Sequence, residues 1–277
     1  MSENRLSLNL YGVIIELSFE DREAKERIKH YFRPFLKDSS SPHHVFEIGK
    51  KSIRIDEALV NGFHQTSPLL LEEVIFYINV TFWREVKGYL VIHSGAVKKG
   101  RKTLLFPGYS GSGKSTLVFW FFINGWEYLS DDLISIEFRS KRICPYPIPL
   151  RLKNPPMKIS RLLEKISDIR LDFFAWGDES FYYLQPRKSF KEPLWRPEDR
   201  YVFIFPHYSP GENFSFRKLN TKETFTQLIS HCINFSSHQK EAFELIFNLV
   251  EKVAGYDLIY GKFEQIEATR LDEEVFN

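Results

Sequence analysis

The amino-acid sequence predicts an α/β chain with α+β character, in which a mixed sheet flanked by helices follows a small N-terminal α+β unit. The first observation is the segment RKTLLFPGYSGSGKSTLVFWFFI (101–123), where an apolar strand, a glycine-rich loop and an apolar helix succeed one another. The second is the number of strand-like segments joined by short turns, which connect antiparallel neighbours. The third is a length of 277 residues, 43% of them hydrophobic, which can bury a sizeable core. We expect two parts, 1–85 and 86–277.

The first part combines short strands with two helices. LSLNLYGVIIELSF predicts a bent strand or a hairpin around Gly12, and DREAKERIKHYFRPF predicts a charged helix that stops near Pro34, since proline cannot continue it. HHVFEIGKKSIRID predicts two short strands around Gly49. A second helix is expected to open at Ser67, which is a good cap and is followed by proline, and to end at Gly88.

The middle of the chain predicts the strands on which the glycine-rich loop is built. YLVIHSGAV and RKTLLF are expected to be strands separated by the turn KKGRK. The apolar helix after the loop is closed by Gly125, and WEYLS predicts the next strand. LISIEFRSKRICPYP then predicts a hairpin that turns between Arg139 and Lys141.

The last part, 151–277, has a less regular pattern. The segment from Arg151 to Arg200 is basic and proline-punctuated, with one helix expected at SRLLEKI. RYVFIF and NFSFRKL predict a strand pair across Pro210 and Gly211. TKETFTQLISHCI and SHQKEAFELIFNLVEKV carry apolar residues at helical spacing, and YDLIYG and FEQIEAT are expected to close the chain as strands.

Composition excludes several classes of protein. A net charge of +2 gives no general reason to expect nucleic acid or a membrane as a partner. Cys144 and Cys232 lack metal-ligand spacing. The longest apolar run, LVFWFFI, is far shorter than a membrane span. MSENRLSLNLYG has no basic region followed by an apolar core, so we expect no signal peptide and a cytoplasmic location.

The glycine-rich loop has the pattern of a P-loop. Gly108, Gly113, Lys114 and Ser115 fit G-x-x-x-x-G-K-[ST] between a strand and a helix. The glycines let backbone N–H groups point at phosphates, and the helix N-terminus adds its positive dipole end. Lys114 is expected to reach the β- and γ-phosphates, and the Ser115 hydroxyl to bind Mg²⁺. The predicted ligand is a nucleoside triphosphate, held by Gly108, Tyr109, Ser110, Gly111, Ser112, Gly113, Lys114, Ser115 and Thr116.

Two aspartates follow the loop at the end of the next strand. Asp131 and Asp132 in EYLSDD are expected near the γ-phosphate, because ligands of open α/β sheets lie at the carboxyl ends of strands. One carboxylate there is the usual second holder of Mg²⁺, and a carboxylate beside an acceptor hydroxyl can take its proton. The residues alone leave open which aspartate does which, and SDD is also good turn chemistry. His93, at a strand end in VIHSGAV, is a further candidate for contact with a phosphate or a carboxylate.

IHSGAV, LLFPGYSGSGKST and GWEYLSDD, in this order, resemble the HPr kinase/phosphorylase family, and most of all its HPr-kinase-related branch, whose members often accompany peptide-modification genes. The resemblance covers about 89–150, including PYPIPLR, and YDLIYG near the end is also similar. It implies a sheet akin to that of phosphoenolpyruvate carboxykinases. It also implies that Asp131 is the base toward a serine hydroxyl, that Asp132 assists with the metal, and that His93 lies at the active site.

The chain departs from that family in its last part. We find no match to the E-x-R-G-x-G signature of true HPr kinase/phosphorylases, and 1–85 does not resemble their N-terminal domain. Neither phosphorylase activity nor HPr as substrate is therefore expected. The predicted function is an ATP- and Mg²⁺-dependent kinase acting on a serine of another peptide or protein. Its oligomeric state stays open.

Two other classes of function remain as alternatives. A small-molecule kinase would use the same loop and base but enclose its acceptor beneath a lid. A nucleotide-dependent switch would bind without transfer, but neither an N-K-x-D element nor an L-S-G-G-Q-like signature is present. A basic loop near a triphosphate could close on it or on an acidic acceptor. The basic side chains of 151–200 are nevertheless interpreted as mainly solvated charge: Arg151, Lys153, Arg187, Lys188, Arg196 and Arg200. The remaining histidines are interpreted as ordinary surface or core residues: His43, His44, His207, His231 and His238.

Overall fold

The computed structural model of the chain has two compact units, Met1–Gly88 and Tyr89–Asn277. Each unit combines helices with strands, and both large sheets mix parallel with antiparallel neighbours. The predicted mixed α/β class is thereby confirmed. The residues that the structure describes are 4–38, 41–60, 67–155, 159, 162–163, 169–176, 179–186 and 200–276.

The first unit contains a five-stranded sheet whose spatial order follows the chain. Its strands are β1 (Arg5–Leu10), β2 (Val13–Phe19), β3 (His44–Ile48), β4 (Ile53–Ile55) and β5 (Ala58–Val60). β2 and β3 pair in parallel, and the other pairs are antiparallel. The hairpin at Gly12 and the strands around Gly49 are confirmed, whereas β5 had no sequence prediction.

Two helices complete the first unit, α1 (Arg22–Tyr31) and α2 (Ser67–Glu85). The Asp21 carboxylate caps α1 by accepting from the N–H groups of Glu23 and Ala24. α1 ends before Pro34, as predicted, and packs against α2 and the β1–β2 hairpin. Among the described residues no helix is both long enough and apolar enough to cross a membrane.

The second unit is built on an eight-stranded sheet in the order β10-β9-β6-β7-β14-β16-β15, with β8 also paired to β6. β7, β14 and β16 run parallel, so their carboxyl ends meet at one edge of the sheet. β8 and β9 lie one after the other along the same side of β6, and the chain turns between them. These strands are β6 (Tyr89–Lys99), β7 (Lys102–Pro107), β8 (Glu127–Ser130), β9 (Leu133–Glu137), β10 (Ile143–Pro145), β14 (Arg200–Tyr208), β15 (Ser215–Lys218) and β16 (Gly255–Tyr260).

Helices cover both faces of this sheet. They are α3 (Lys114–Ile123), α4 (Thr221–Ser230), α5 (Gln239–Val250) and α6 (Ala268–Phe276). α3 packs against β6, β7 and β8, and its buried apolar residues share one cluster with side chains of α6, which explains the apolar run at 117–123. α5 instead buries one stripe, Ala242, Leu245, Ile246 and Leu249, against the opposite face.

Two predictions for the last part of the chain are wrong, and one sheet there had no sequence prediction. The segment 151–200 contains most of a three-stranded antiparallel sheet of β11 (Leu150–Lys153), β13 (Glu179–Pro186) and β12 (Ile169–Trp176), whose aromatic residues favour strands. β14 and β15 do not pair with each other, because β16 lies between them. FEQIEAT is not a strand: Phe263–Gln265 form a 3-10 turn and α6 begins at Ala268. The helix expected at SRLLEKI lies mostly outside the described residues.

Candidate active site

The glycine-rich loop joins the carboxyl end of β7 to the N-terminus of α3. Gly113 directly precedes the helix with a φ of 96°, a left-handed conformation that favours glycine. A Cβ at this position would lie 1.8 Å from the Tyr260 hydroxyl oxygen. Backbone conformation and space therefore both require glycine, so that the loop can lie close against β16.

The neighbouring strands hold the loop through hydrogen bonds to its backbone. The Gly108 N–H donates to the His93 carbonyl at 3.2 Å, and the Tyr208 N–H donates to the Ser112 carbonyl at 3.0 Å. The Tyr260 hydroxyl donates to the Gly113 carbonyl at 3.1 Å. Residues from β6, β14 and β16 thus set the shape of the loop from both sides of β7.

Lys114 begins α3 and is buried at the base of the loop. Its ammonium donates to the Tyr109 carbonyl at 2.8 Å. Burial lowers the pKa of the Lys114 ammonium, while the charges of Asp131 and Asp132 oppose this effect. The cation and both carboxylates of the doublet are therefore close enough to interact electrostatically.

The doublet Asp131–Asp132 lies in the turn between β8 and β9, opposite the His93–Ala96 stretch of β6. The Ser94 N–H donates to the Asp132 carbonyl at 3.0 Å, which fixes this turn against β6. Since β6 also pairs with β7, the doublet is placed on one side of the loop. SDD does form a turn, as its residue types suggest, and the side chains of both aspartates nevertheless lie at the site.

Asp131 is buried, with 6% of its surface exposed. Its Oδ2 accepts a hydrogen bond from the Arg151 N–H at 3.0 Å, and its Oδ1 is buried without a hydrogen-bond partner in the described structure. Burial raises the pKa of the Asp131 carboxyl to about 6, against the opposing effects of the Arg151 amide, the Ser115 hydroxyl and the Lys114 charge. Asp131 is thus a carboxyl group that titrates close to neutrality.

Asp132 has a different environment. Its side chain is 45% exposed, and its Oδ1 lies 3.0 Å from His93 Nε2. Loss of solvent around the carboxyl raises the pKa of Asp132. The hydrogen bond with His93 and the charge of His93 outweigh that effect, so the pKa of Asp132 is lowered. The two neighbouring aspartates are therefore pushed in opposite directions, one toward a neutral acid and the other toward a permanent anion.

The structure brings Lys114, Ser115, Asp131, Asp132 and His93 together. Gly108 to Ser112 form the loop, and Thr116 lies in the first turn of α3. Within the loop, Tyr109 is 63% exposed. Arg151 reaches the site through its backbone amide, whereas Arg200 begins β14 at the far edge of the sheet. Arg187, Lys188 and Arg196 lie outside the described residues.

His231, interpreted from sequence as an ordinary histidine, borders this site. Its carbonyl accepts from the His93 N–H at 2.9 Å, and its ring centroid lies 4.5 Å from that of Tyr109 in an edge contact. Burial, together with the charges of His93 and Lys114, lowers the pKa of the His231 imidazole to about 4. No local sequence signal identifies it, because the contact depends on how the end of α4 returns to β6.

Oxygen ligands suited to Mg²⁺ are present beside the loop. The Ser115 hydroxyl lies near enough to the Asp131 carboxyl to lower its pKa, and the ionised Asp132 is adjacent in the chain. No group of three or more His, Cys, Asp or Glu side chains in the described part of the chain could by itself hold a metal ion. Mg²⁺ usually takes one or two carboxylates from the protein and completes its shell with water and phosphate oxygens.

Comparison with known proteins adds no family to this geometry: no protein-family model matches the chain, and a search of curated proteins gives no match either.

Proposed function

We propose that this protein is an ATP-dependent kinase that transfers the γ-phosphate to a hydroxyl group, most simply a serine, of a peptide or protein. The observation that carries the proposal is the convergence of Asp131, Asp132 and His93 on a P-loop that contains Lys114 and Ser115. A loop that only held a nucleotide would need the lysine, the amides and one carboxylate. The second carboxylate and the histidine beside it are not needed for nucleotide binding alone, and they are therefore assigned to phosphate transfer.

Asp131 is proposed as the general base. A base works best when its pKa lies near the operating pH, and the pKa of the Asp131 carboxyl is raised to about 6. Its free Oδ1 accepts the proton of the acceptor hydroxyl while the hydroxyl oxygen bonds to the γ-phosphorus and the bond to the β-phosphate oxygen breaks. The amide of Arg151 holds the other carboxyl oxygen and so fixes the orientation of the base.

Lys114 and the loop amides are proposed to bind the phosphates, and Ser115 and Asp132 to hold Mg²⁺. The ion, when bound, supplies positive charge to the β- and γ-phosphate oxygens. His93 fixes the Asp132 carboxylate at 3.0 Å and keeps it ionised. The Ser115 hydroxyl also lowers the pKa of Asp131, so an exchange of roles between the two aspartates is testable by Mg²⁺ titration of single variants.

The proposed fold relationship is to the C-terminal domain of HPr kinase and to phosphoenolpyruvate carboxykinases. Support comes from IHSGAV, LLFPGYSGSGKST and GWEYLSDD, and from the mixed sheet in which these segments form β6, the β7–loop–α3 unit and β8 with its doublet. The proposal includes neither phosphorylase activity nor HPr as substrate, since the E-x-R-G-x-G signature is absent from the sequence.

The proposal is tested with a mixture of synthetic serine peptides incubated with the protein, ATP and Mg²⁺. Mass spectrometry is expected to find one added phosphate on serine. Matched peptides with alanine in place of serine should stay unmodified, and Lys114→Ala should abolish the product. Phosphorylation of free serine but of no peptide would instead identify a small-molecule kinase.

A second measurement requires no knowledge of the acceptor. Phosphate released by slow hydrolysis of ATP in ¹⁸O-water should contain one ¹⁸O atom, because water replaces the acceptor hydroxyl at the γ-phosphorus. Asp131→Asn should bind ATP·Mg²⁺ nearly normally and lose hydrolysis and transfer by at least ~10²-fold, the scale of losing a general base. ATP binding without hydrolysis or transfer in the unmodified protein would favour a nucleotide-dependent switch and contradict the kinase proposal.

A further inference from the structure

A second concave site lies at the opposite edge of the main sheet from the glycine-rich loop. β14 connects the two places, since Arg200 at its start lines this cavity and Tyr208 at its end bonds to the loop. The cavity has a volume of about 400 Å³, which lies within the usual range for small-molecule sites. None of the residues proposed for phosphate transfer contributes to its lining.

The charged side chains of the lining are all cationic. Lys141, Arg200 and Lys252 all contribute to the lining, which contains no Asp or Glu among the described residues. The carboxylate of nearby Asp272 already pairs with Lys102 at 2.7 Å and lies 3.9 Å from Lys99. Among the described residues no ion-pair partner is found for the three lining cations. The charged residues described in the lining are thus all positive, and a bound anion would compensate them.

Apart from Asn248, the rest of the lining is apolar or aromatic. Leu249 at the end of α5 and Phe276 at the end of α6 are each 3% exposed. The Arg200 guanidinium lies over the Phe276 ring at 6.0 Å from its centroid, so one cation stands directly beside the apolar surface. Burial raises the pKa of the Tyr201 phenol to about 12, so this lining hydroxyl stays neutral and can donate a hydrogen bond.

We propose that this cavity binds an anionic amphipathic small molecule, whose carboxylate, sulfonate or phosphate lies among Lys141, Arg200 and Lys252 while its apolar part contacts Leu249 and Phe276. Charged hydrogen bonds make the site specific for an anion, and the apolar contacts bury apolar surface of the ligand and so add affinity. The site is independent of the proposed kinase activity, because it shares no residue with the loop or with the aspartate doublet.

The test uses two fluorescent probes of nearly equal shape. 8-Anilinonaphthalene-1-sulfonate is anionic, and N-phenyl-1-naphthylamine is its uncharged counterpart. We expect saturable binding of the sulfonate and weaker binding of the amine. Arg200→Gln with Lys252→Gln should weaken sulfonate binding by at least ~10-fold, because two charge-assisted contacts are lost, and should leave binding of the amine unchanged.

Lys240→Gln is the matched control, since it removes one positive charge from the first turn of α5, at the other end of that helix from the cavity. It should bind both probes as the unmodified protein does, and Lys114→Ala should do the same. Decanoate should displace the sulfonate, whereas decanol should displace it at least ~10-fold less well. Circular dichroism checks that each variant is folded.

Two results would overturn the proposal. One is a sulfonate affinity that is the same in the folded Arg200/Lys252 double variant and in the unmodified protein. The other is a signal that is lost in Phe243→Ser with Phe247→Ser, because these two exposed rings on α5 would then be the probe's binding site.

Discussion

Replacing Asp131 by Asn should make the second unit more stable at alkaline pH. The pKa of the Asp131 carboxyl is about 6 in the folded chain, against an ordinary value of 3.8. Folding at high pH therefore buries the ionised Asp131 carboxylate in a place where the protonated form is more stable. At 1.36 kcal/mol for each tenfold change in proton affinity, the cost is about 3 kcal/mol. Asparagine mimics the neutral acid, and its amide oxygen can still accept from the Arg151 N–H.

The sign follows from the raised pKa. Below pH 3.8 the carboxyl is protonated both folded and unfolded, so the variant gains nothing there. The gain grows as the pH rises toward 6 and reaches its full size, about 3 kcal/mol, above that value. For a unit of this size the full gain corresponds to a rise of roughly 6–12 °C in Tm at pH 8.

The assay is thermal unfolding of both proteins between pH 5 and pH 8, without nucleotide or Mg²⁺. Asp132→Asn is the matched control with the opposite sign, since His93 lowers the pKa of that carboxyl and its removal should destabilise the chain at pH 8. An Asp131→Asn variant that is equally or less stable than the unmodified protein at pH 8 would refute the argument that Asp131 is buried at an energetic cost.

Three further predictions concern the loop and its supports. Tyr260→Phe removes the donor to the Gly113 carbonyl. The Kd for ATP·Mg²⁺, measured by calorimetry, should therefore rise about 3- to 10-fold, as for the loss of one neutral hydrogen bond, while kcat changes little. A lower kcat at unchanged Kd would contradict this positioning role. Gly113→Ala places a Cβ against the same hydroxyl at a φ of 96°, so this variant should fold but bind ATP at least ~10-fold more weakly. Gly211→Ala is the control, since Gly211 also has a positive φ but a Cβ there would lie in open space, and it should bind ATP normally. His93→Gln removes the interactions that lower the pKa of Asp132, so the variant should need more Mg²⁺ for half-maximal kcat at acid pH than the unmodified protein does. An unchanged Mg²⁺ requirement would show that His93 does not act through Asp132.

Local motifs carried most of what the sequence predicted about the site. The loop from Gly108 to Ser115 and the doublet Asp131–Asp132 each lie within a few residues of the strand that presents them, so motif and strand order suffice to bring them together. His93 was predicted for the same reason, since it lies in the strand before the loop. Their assembly in the structure follows from the pairing of β6 with β7, β8 and β9.

The rest depends on contacts between distant parts of the chain. Tyr260 reaches Gly113 because β16 lies next to β14 in the sheet, and neither residue type nor local pattern encodes that neighbour. The error at NFSFRKL has the same origin: its strand pattern was correct, but its partner was β16. FEQIEAT was assigned as a strand from a short apolar pattern, which does not distinguish a strand from a 3-10 turn and a helix start.

The central claim is that Asp131 accepts a proton during phosphate transfer. The most direct test is a side-by-side measurement of ATP·Mg²⁺ affinity and ¹⁸O-labelled phosphate release for the unmodified protein and Asp131→Asn. We predict an affinity within a few-fold of the unmodified protein and release lowered by at least ~10²-fold. Release at nearly the unmodified rate, with affinity retained, would contradict the claim.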